Sequence, residues 1–85
     1  MASYVIDLEI VQVDGEPWFQ FRWQGGDWYG ALQALKERVP PEARSYDPET
    51  RLWRVGDIFE SDLCAIFPNF ESSLDAIRSQ LSFLI

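Results

Sequence analysis

The sequence has no histidine and only one cysteine, Cys64, among its 85 residues. Without a second cysteine an intramolecular disulfide is impossible, and the common Cys/His zinc sites cannot be assembled within one chain. The missing histidine also removes the commonest general base and the Ser/His and Cys/His nucleophile pairs. We therefore expect a non-enzymatic protein without metal or cofactor, in which Cys64 is a buried structural thiol.

Basic residues are scarce as well, since seven Lys and Arg stand against fourteen Asp and Glu, for a formal net charge of -7. This charge disfavours nucleic acids, because proteins hold phosphate backbones largely through Lys and Arg. No stretch reaches the roughly 18 uninterrupted apolar residues of a membrane helix. Asp7 and Glu9 break the apolar run that a secretory signal would need. The sequence predicts a cytoplasmic protein that does not bind membranes.

The chain is rich in apolar residues, at 47%, and in aromatic residues, at 15%. A chain of this length has room for one dense core, so residues 1–85 are predicted to form a single domain. Residues 4–24 predict a β-hairpin, because alternating apolar stretches flank Asp14 and Gly15, a pair that favours a two-residue turn. The predicted inward pairs are Ile10 with Phe19, Leu8 with Phe21, and Ile6 with Trp23. The predicted outward pairs are Asp7 with Arg22, Glu9 with Gln20, and Val11 with Trp18, and Val5 is also expected on the outward face.

Apolar spacing predicts a helix after this hairpin, with Asp27 as N-cap and the pair Pro40–Pro41 as its end. In the next stretch, Asp47 and Pro48 favour a type I turn. The resulting second hairpin is expected to pair Tyr46 with Arg51 and Arg44 with Trp53, the last two in a cation–π contact.

Two further helices are predicted from the remaining apolar spacing. Asp57 and Glu60 resemble a capping box that would start the first of them. Its expected apolar face is Ile58, Phe59, Leu63, Ile66 and Phe67, and that of the final helix is Phe70, Leu74, Ile77, Leu81 and Leu84. The predicted fold is therefore α+β, in the order ββαββαα, with an antiparallel sheet of two hairpins and the helices packed on one face.

The run from residue 32 to residue 53, LQALKERVPPEARSYDPETRLW, resembles the helix-plus-hairpin element of the HARP (annealing-helicase accessory) domain and of similar small bacterial proteins. The similar features are a helix ending near LKERVP and a hairpin of the form Y-D-P-x-T-x-x-W. The resemblance implies an α+β module attached to, or acting beside, DNA-remodelling machinery. It places Arg44, Arg51 and Trp53 on the matching hairpin.

Two binding functions follow from these predictions. If all helices pack on one side of the sheet, Val11, Trp18 and Leu52 lie on the open side and form a candidate surface for a protein partner or a second copy of the chain. The alternative is single-stranded nucleic-acid binding by the second hairpin, in which aromatic rings stack on bases and arginines hold phosphates. Its candidate residues are Arg44, Tyr46, Arg51, Trp53 and Arg54.

Overall fold

The computed structural model describes residues 2–83, and side chains within residues 2–80. Its elements are β1 (Ser3–Val13), β2 (Glu16–Gly25), α1 (Trp28–Arg38), β3 (Arg44–Asp47), β4 (Leu52–Gly56), α2 (Glu60–Ile66) and α3 (Phe70–Phe83). Short 3₁₀ turns, Pro41–Ala43 and Asp57–Phe59, precede β3 and α2. The strands form one antiparallel sheet in the order β1-β2-β4-β3, which confirms the predicted α+β fold.

The core is built on the side of β2 that faces the helices. Phe19, Phe21 and Trp23 occupy alternate positions of this strand, so all three rings point the same way, and all are buried. Phe70 lies 5.2 Å from Phe19 and 6.0 Å from Phe21, both edge-on, and Phe67 lies 5.7 Å from Phe21. Burying one such ring contributes about 1.5–3 kcal/mol, so this cluster attaches the helices to the sheet.

A β-bulge in β1 divides the first hairpin into two registers. From Glu9 to Val13 the predicted pairing is confirmed, including Ile10 opposite Phe19. Between Ile6 and Glu9 the register shifts by one residue. Asp7 adopts a φ of 55°, in the left-handed region that aspartate tolerates better than most residues.

The bulge reverses which side chains of β1 face inward. Val5 lies opposite Trp23, is only 3% exposed and belongs to the core, whereas Ile6 lies opposite Arg22. The predictions that Ile6 faces Trp23 and that Val5 faces outward were wrong. The predicted pairing of Leu8 with Phe21 is also absent, because Leu8 lies within the shifted segment.

The second hairpin forms with a register two residues away from the predicted one. Tyr46 lies opposite Trp53, and Arg44 lies opposite Val55, so the predicted pairs Tyr46–Arg51 and Arg44–Trp53 were wrong. The loop comprises residues 48–51, and Arg51 closes it with a φ of 60° and an N–H that donates to the Asp47 carbonyl at 2.7 Å. Because the shift is even, every side chain keeps its predicted face.

Both predicted ends of α1 are confirmed. The Asp27 carboxylate accepts a hydrogen bond from the Gly30 N–H at 3.2 Å, and Val39, just before the two prolines, is extended. The cap also explains the glycine in the first turn, since a Cβ at Gly30 would lie 2.3 Å from the Asp27 carboxylate. The Asp27 cap therefore requires a residue without a Cβ at position 30.

The predicted capping box before α2 is absent. Residues Asp57–Phe59 form a 3₁₀ turn, no side chain caps that turn or α2, and α2 begins at Glu60. A 3₁₀ turn has three residues per turn instead of 3.6, so apolar spacing read as an α-helix misplaces its side chains. Ile58, predicted on the buried face, is 83% exposed, while Leu63 and Phe67 are buried as predicted.

The side chain of Asn69 joins the start of α3 to the edge of the sheet. Its Oδ1 accepts the Val5 N–H at 2.8 Å, and its Nδ2 donates to the Val5 carbonyl at 2.9 Å. One side-chain amide thus pairs with both backbone polar groups of Val5, as a residue of a neighbouring strand would. Phe70 and Leu74 of α3 are buried as predicted, and the predicted apolar positions Leu81 and Leu84 lie outside the residues whose side chains are described.

We predict that Asn69→Ala lowers the free energy of unfolding by about 1–3 kcal/mol, because it leaves the partly buried N–H and carbonyl of Val5 without partners. Urea unfolding measures this change. Ser72→Ala is the matched control, since it removes only an exposed hydrogen bond to the Asn69 carbonyl. Equal stability of the two variants would show that the amide contact does not hold α3 to β1.

Candidate binding surfaces

The open face of the sheet presents Trp18 beside Val11. The two residues are cross-strand partners, as predicted, and both are partly exposed. On its other side Trp18 lies opposite Gly56 of β4. A Cβ at Gly56 would lie 3.9 Å from the Trp18 ring, and Gly56 is buried although it belongs to the open face. The Trp18 indole therefore covers Gly56 at the end of β4.

Leu52, the third predicted contact residue, lies at the other end of that face. Leu52 lies four positions before Gly56 along β4, which corresponds to a distance of about 13 Å. A polar row lies between, in which Gln20 Nε2 donates to Glu9 Oε2 at 3.4 Å and Arg54 Nε donates to Gln20 Oε1 at 3.0 Å. The structure brings Val11 and Trp18 together but does not bring Leu52 to them.

Acidic residues occupy positions near the Val11–Trp18 pair. Glu9 and Glu16 are exposed on the same face, each two residues from one member of the pair, and Asp57 follows Gly56 directly. The 3₁₀ turn that contains Asp57 contacts β2. It also carries the exposed Ile58, a surface residue that helical spacing had assigned to the core. We call Val11 and Trp18 the hairpin patch.

The five residues of the predicted nucleic-acid site separate into three places. Arg44 Nη1 donates to the carbonyls of Val39 and Lys36, the latter at 3.4 Å, so Arg44 caps the C-terminal end of α1. The predicted Arg44–Trp53 cation–π contact is therefore replaced by Tyr46, whose ring lies 4.9 Å from that of Trp53. Arg54 lies on the open face, and Arg51, in the loop of the second hairpin, lies beside the Tyr46 and Trp53 rings.

A row of aromatic rings crosses the end of the sheet next to that loop. Neighbouring rings are 4.9 Å apart for Tyr46 and Trp53, 5.8 Å for Trp53 and Trp23, and 5.4 Å for Trp23 and Trp28. Beside them is an open cleft of about 400 Å³, also lined by Arg22 and Arg51. We call it the aromatic cleft. Local sequence patterns could not reveal it, because its residues come from separate parts of the chain.

Asp47 organises the loop that holds Arg51 at this cleft. Its Oδ1 accepts the Glu49 N–H at 3.0 Å, and its Oδ2 accepts the Thr50 hydroxyl at 3.0 Å. The hydrogen bond from the Glu49 N–H, followed by that from Thr50, lowers the pKa of Asp47 below its usual 3.8, since both favour the ionised carboxylate. Asp47 thus organises the turn, as predicted, but it is the last residue of β3, and the loop begins at Pro48.

Cys64 is half-buried and packs against the core. Burial raises the pKa of its thiol, and the negative charges of Glu71 and Glu60 raise that pKa further. A raised pKa lowers the thiolate fraction, and the thiolate is the reactive form. The surroundings of Cys64 therefore favour the structural role predicted for it.

No protein-family model, no curated protein and no solved structure matches this chain. Within residues 2–83 no helix is both long enough and apolar enough to cross a bilayer.

We predict that Asp47→Ala lowers the thermal unfolding midpoint near pH 7 and that this loss disappears in acid. The pKa of Asp47 is lower in the folded chain, so its stabilisation is present above pH 3.8 and is lost as the pH falls through the folded-state pKa. Thermal scans of both proteins from neutral pH to about pH 3 measure the difference between their midpoints. If the two midpoints differ as much at about pH 3 as at neutral pH, the prediction is wrong.

Glu49→Ala is the control for this comparison. It removes a carboxylate from the same loop, but it leaves the backbone N–H that Asp47 accepts. Its midpoint relative to the parent chain should not follow the pH dependence seen for Asp47→Ala.

Proposed function

We propose that the chain is a small non-enzymatic module that binds a protein partner through the hairpin patch. The observation that supports this best is Trp18, held beside Val11 over Gly56 on the face of the sheet opposite to the helices. Tryptophan supplies a large contact area with little conformational entropy to lose, and it is enriched among the residues that dominate binding energy. Leu52 is not part of this proposed surface, because the polar row separates it from Trp18.

The charges around the patch favour a partner of opposite charge. Glu9 and Glu16 lie on the same face, each two residues from one member of the Val11–Trp18 pair, Asp57 follows Gly56, and the whole chain carries a net charge of -7. A partner surface with an apolar centre and a Lys/Arg rim would be complementary, whereas a second copy would place like charges next to each other. We therefore propose a different protein, in the cytoplasm, as the partner.

Single-stranded nucleic-acid binding is supported less well by the geometry. A phosphate track requires several cations along one groove. Of the three arginines expected to form it, Arg44 caps α1 and Arg54 lies on the opposite face, so only Arg51 of the three lies beside the rings. Arg22 also lies there but is paired with Asp7. The resemblance of residues 32–53 to the HARP domain stays a prediction. It is compatible with a protein contact inside DNA-remodelling machinery.

The test compares partner capture by the parent chain with capture by Trp18→Ala. Proteins held by the immobilised chain are quantified by mass spectrometry, and the specific partner is then purified and titrated. If Trp18 dominates the interface, its loss costs about 2 kcal/mol or more, which is roughly a 30-fold increase in Kd. Glu16→Lys should weaken the same complex by reversing a charge at its rim.

Tyr4→Ala is the matched control, since Tyr4 is an exposed aromatic residue at the opposite end of the same open face. It should leave Kd unchanged. Sedimentation of the parent chain alone tests the alternative of self-association. Equal binding by Trp18→Ala and Tyr4→Ala, or a dimer that Trp18→Ala dissociates, would overturn the proposal of a basic protein partner.

A further inference from the structure

The aromatic cleft occupies a free edge inside the sheet. β2 pairs with β1 as far as Gly25, but its pairing with β4 ends where Phe21 lies opposite Trp53. Beyond that point the chain of β4 has turned into the loop of residues 48–51. The last residues of β2 thus have a strand on one side and the cleft on the other.

The peptide groups of Trp23 point into this cleft. Val5, its partner on β1, directs its own N–H and carbonyl out of the sheet to Asn69, so Val5 and Trp23 form a non-hydrogen-bonded pair. In such a pair both residues turn their N–H and carbonyl groups away from each other. The N–H and carbonyl of Trp23 therefore face the side of β2 on which β4 has ended. The N–H can donate, and the carbonyl can accept, one hydrogen bond each to an added strand.

The walls of the cleft suit a flat or ring-shaped side chain. Trp28 and Tyr46 are 38% and 44% exposed, so their rings are available for contact. Behind them Trp23 and Trp53 are almost fully buried; Trp28 stacks on Trp23, and Tyr46 packs against Trp53 at an interplanar angle of 40°. Aromatic pairs of this kind contribute beyond the area that they bury.

The cations at the cleft favour a negative group beside that side chain. Arg22 lines the cleft and is bound to Asp7 at 2.7 Å, which offsets part of its charge. Arg51 also lines it, is exposed, and forms no salt bridge with any residue of the described part of the chain. The hydrogen bond from the Arg51 N–H to the Asp47 carbonyl fixes the backbone of Arg51, so its side chain extends from a fixed position at the mouth of the cleft.

We infer that the aromatic cleft binds an extended peptide segment of another protein, with an aromatic residue followed by an acidic one. The main chain of that segment adds to the free edge of β2 through the N–H and carbonyl of Trp23. Its aromatic side chain packs against Trp28 and Tyr46, and its carboxylate binds Arg51. This mode is strand addition, in which main-chain hydrogen bonds give affinity and side-chain contacts give specificity. It is independent of the hairpin patch.

The test is an NMR titration of the full chain with the blocked peptide acetyl-Gly-Phe-Asp-Gly-amide. Each of the four tryptophans carries one indole N–H that can be followed, and only Trp18 lies away from the cleft. We expect the signals of Trp23, Trp28 and Trp53, and the backbone amide of Trp23, to shift with a Kd of about 1 mM, as suits so short a probe. The signal of Trp18 should stay in place.

Changes to the peptide test each contact separately. Replacing Phe by Ala removes the ring, replacing Asp by Lys removes the charge match, and N-methylation of Phe removes the main-chain donor. Each peptide should bind at least about fivefold more weakly, since each lacks one of the three contacts. An unchanged Kd for the N-methylated peptide would overturn strand addition, and an unchanged Kd for the alanine peptide would overturn recognition of the ring.

Changes to the protein complete the test. Arg51→Glu should raise Kd about tenfold, because a charge-assisted contact becomes a repulsion. Arg54→Glu is the matched control on the same hairpin but the opposite face, and it should leave Kd unchanged, as should Trp18→Ala. The inference is overturned if the cleft signals do not move at about 10 mM peptide. It is also overturned if oligothymidine shifts the same signals at lower concentration, which would assign the cleft to nucleic acid.

Discussion

Alternation along β2 is the constraint on which the rest of the molecule depends. Phe19, Phe21 and Trp23 must share one side of the strand, and on that side they contact rings from the segment that leads into α3. The same alternation places Trp18 on the opposite side. The alternation that buries Phe19, Phe21 and Trp23 therefore also places Trp18 on the open face. A regular strand cannot bury all four rings against the same helices.

Trp23 has a second role, because it joins the core to the aromatic cleft. Its ring stacks on Trp53 of the second hairpin and on Trp28 at the start of α1, and its indole N–H donates to the Trp28 carbonyl at 3.4 Å. Its backbone, meanwhile, lies at the free edge of β2. The cleft is thus positioned by buried contacts, and only its outer rings and Arg51 are accessible to a ligand.

Simple rules applied to the sequence predicted the strands, the helices and their order, because apolar periodicity and the turn residues agree along most of the chain. The predicted strand registers were wrong at two places, and at each of them a single residue adopts a left-handed conformation. Asp7 creates the bulge that turns Val5 inward, and Arg51 closes a loop that moves the second register by two residues. Arginine gives no signal for such a conformation, so no pattern could have shown the second change.

The candidate surfaces were predictable to different degrees. Val11 and Trp18 follow from one local register, and that part of the first hairpin was predicted correctly. The exposure of Ile58 was not predicted, because a 3₁₀ turn replaced the predicted start of a helix. The aromatic cleft depends on where β4 stops pairing with β2, which is a long-range property. Turn chemistry determines a hairpin, but it does not determine how far two hairpins overlap.

The row of stacked indoles also has a spectroscopic consequence. Trp28, Trp23 and Trp53 lie within 6 Å of their neighbours at interplanar angles below 30°, so their electronic transitions couple. Coupled indoles add an exciton band to the far-ultraviolet circular dichroism of the backbone. That band depends on α1 being docked on the first hairpin and on the two hairpins packing together, and it would vanish when both contacts are lost even if every helix stayed intact. In this chain a far-ultraviolet spectrum therefore reports tertiary order as well as helix content.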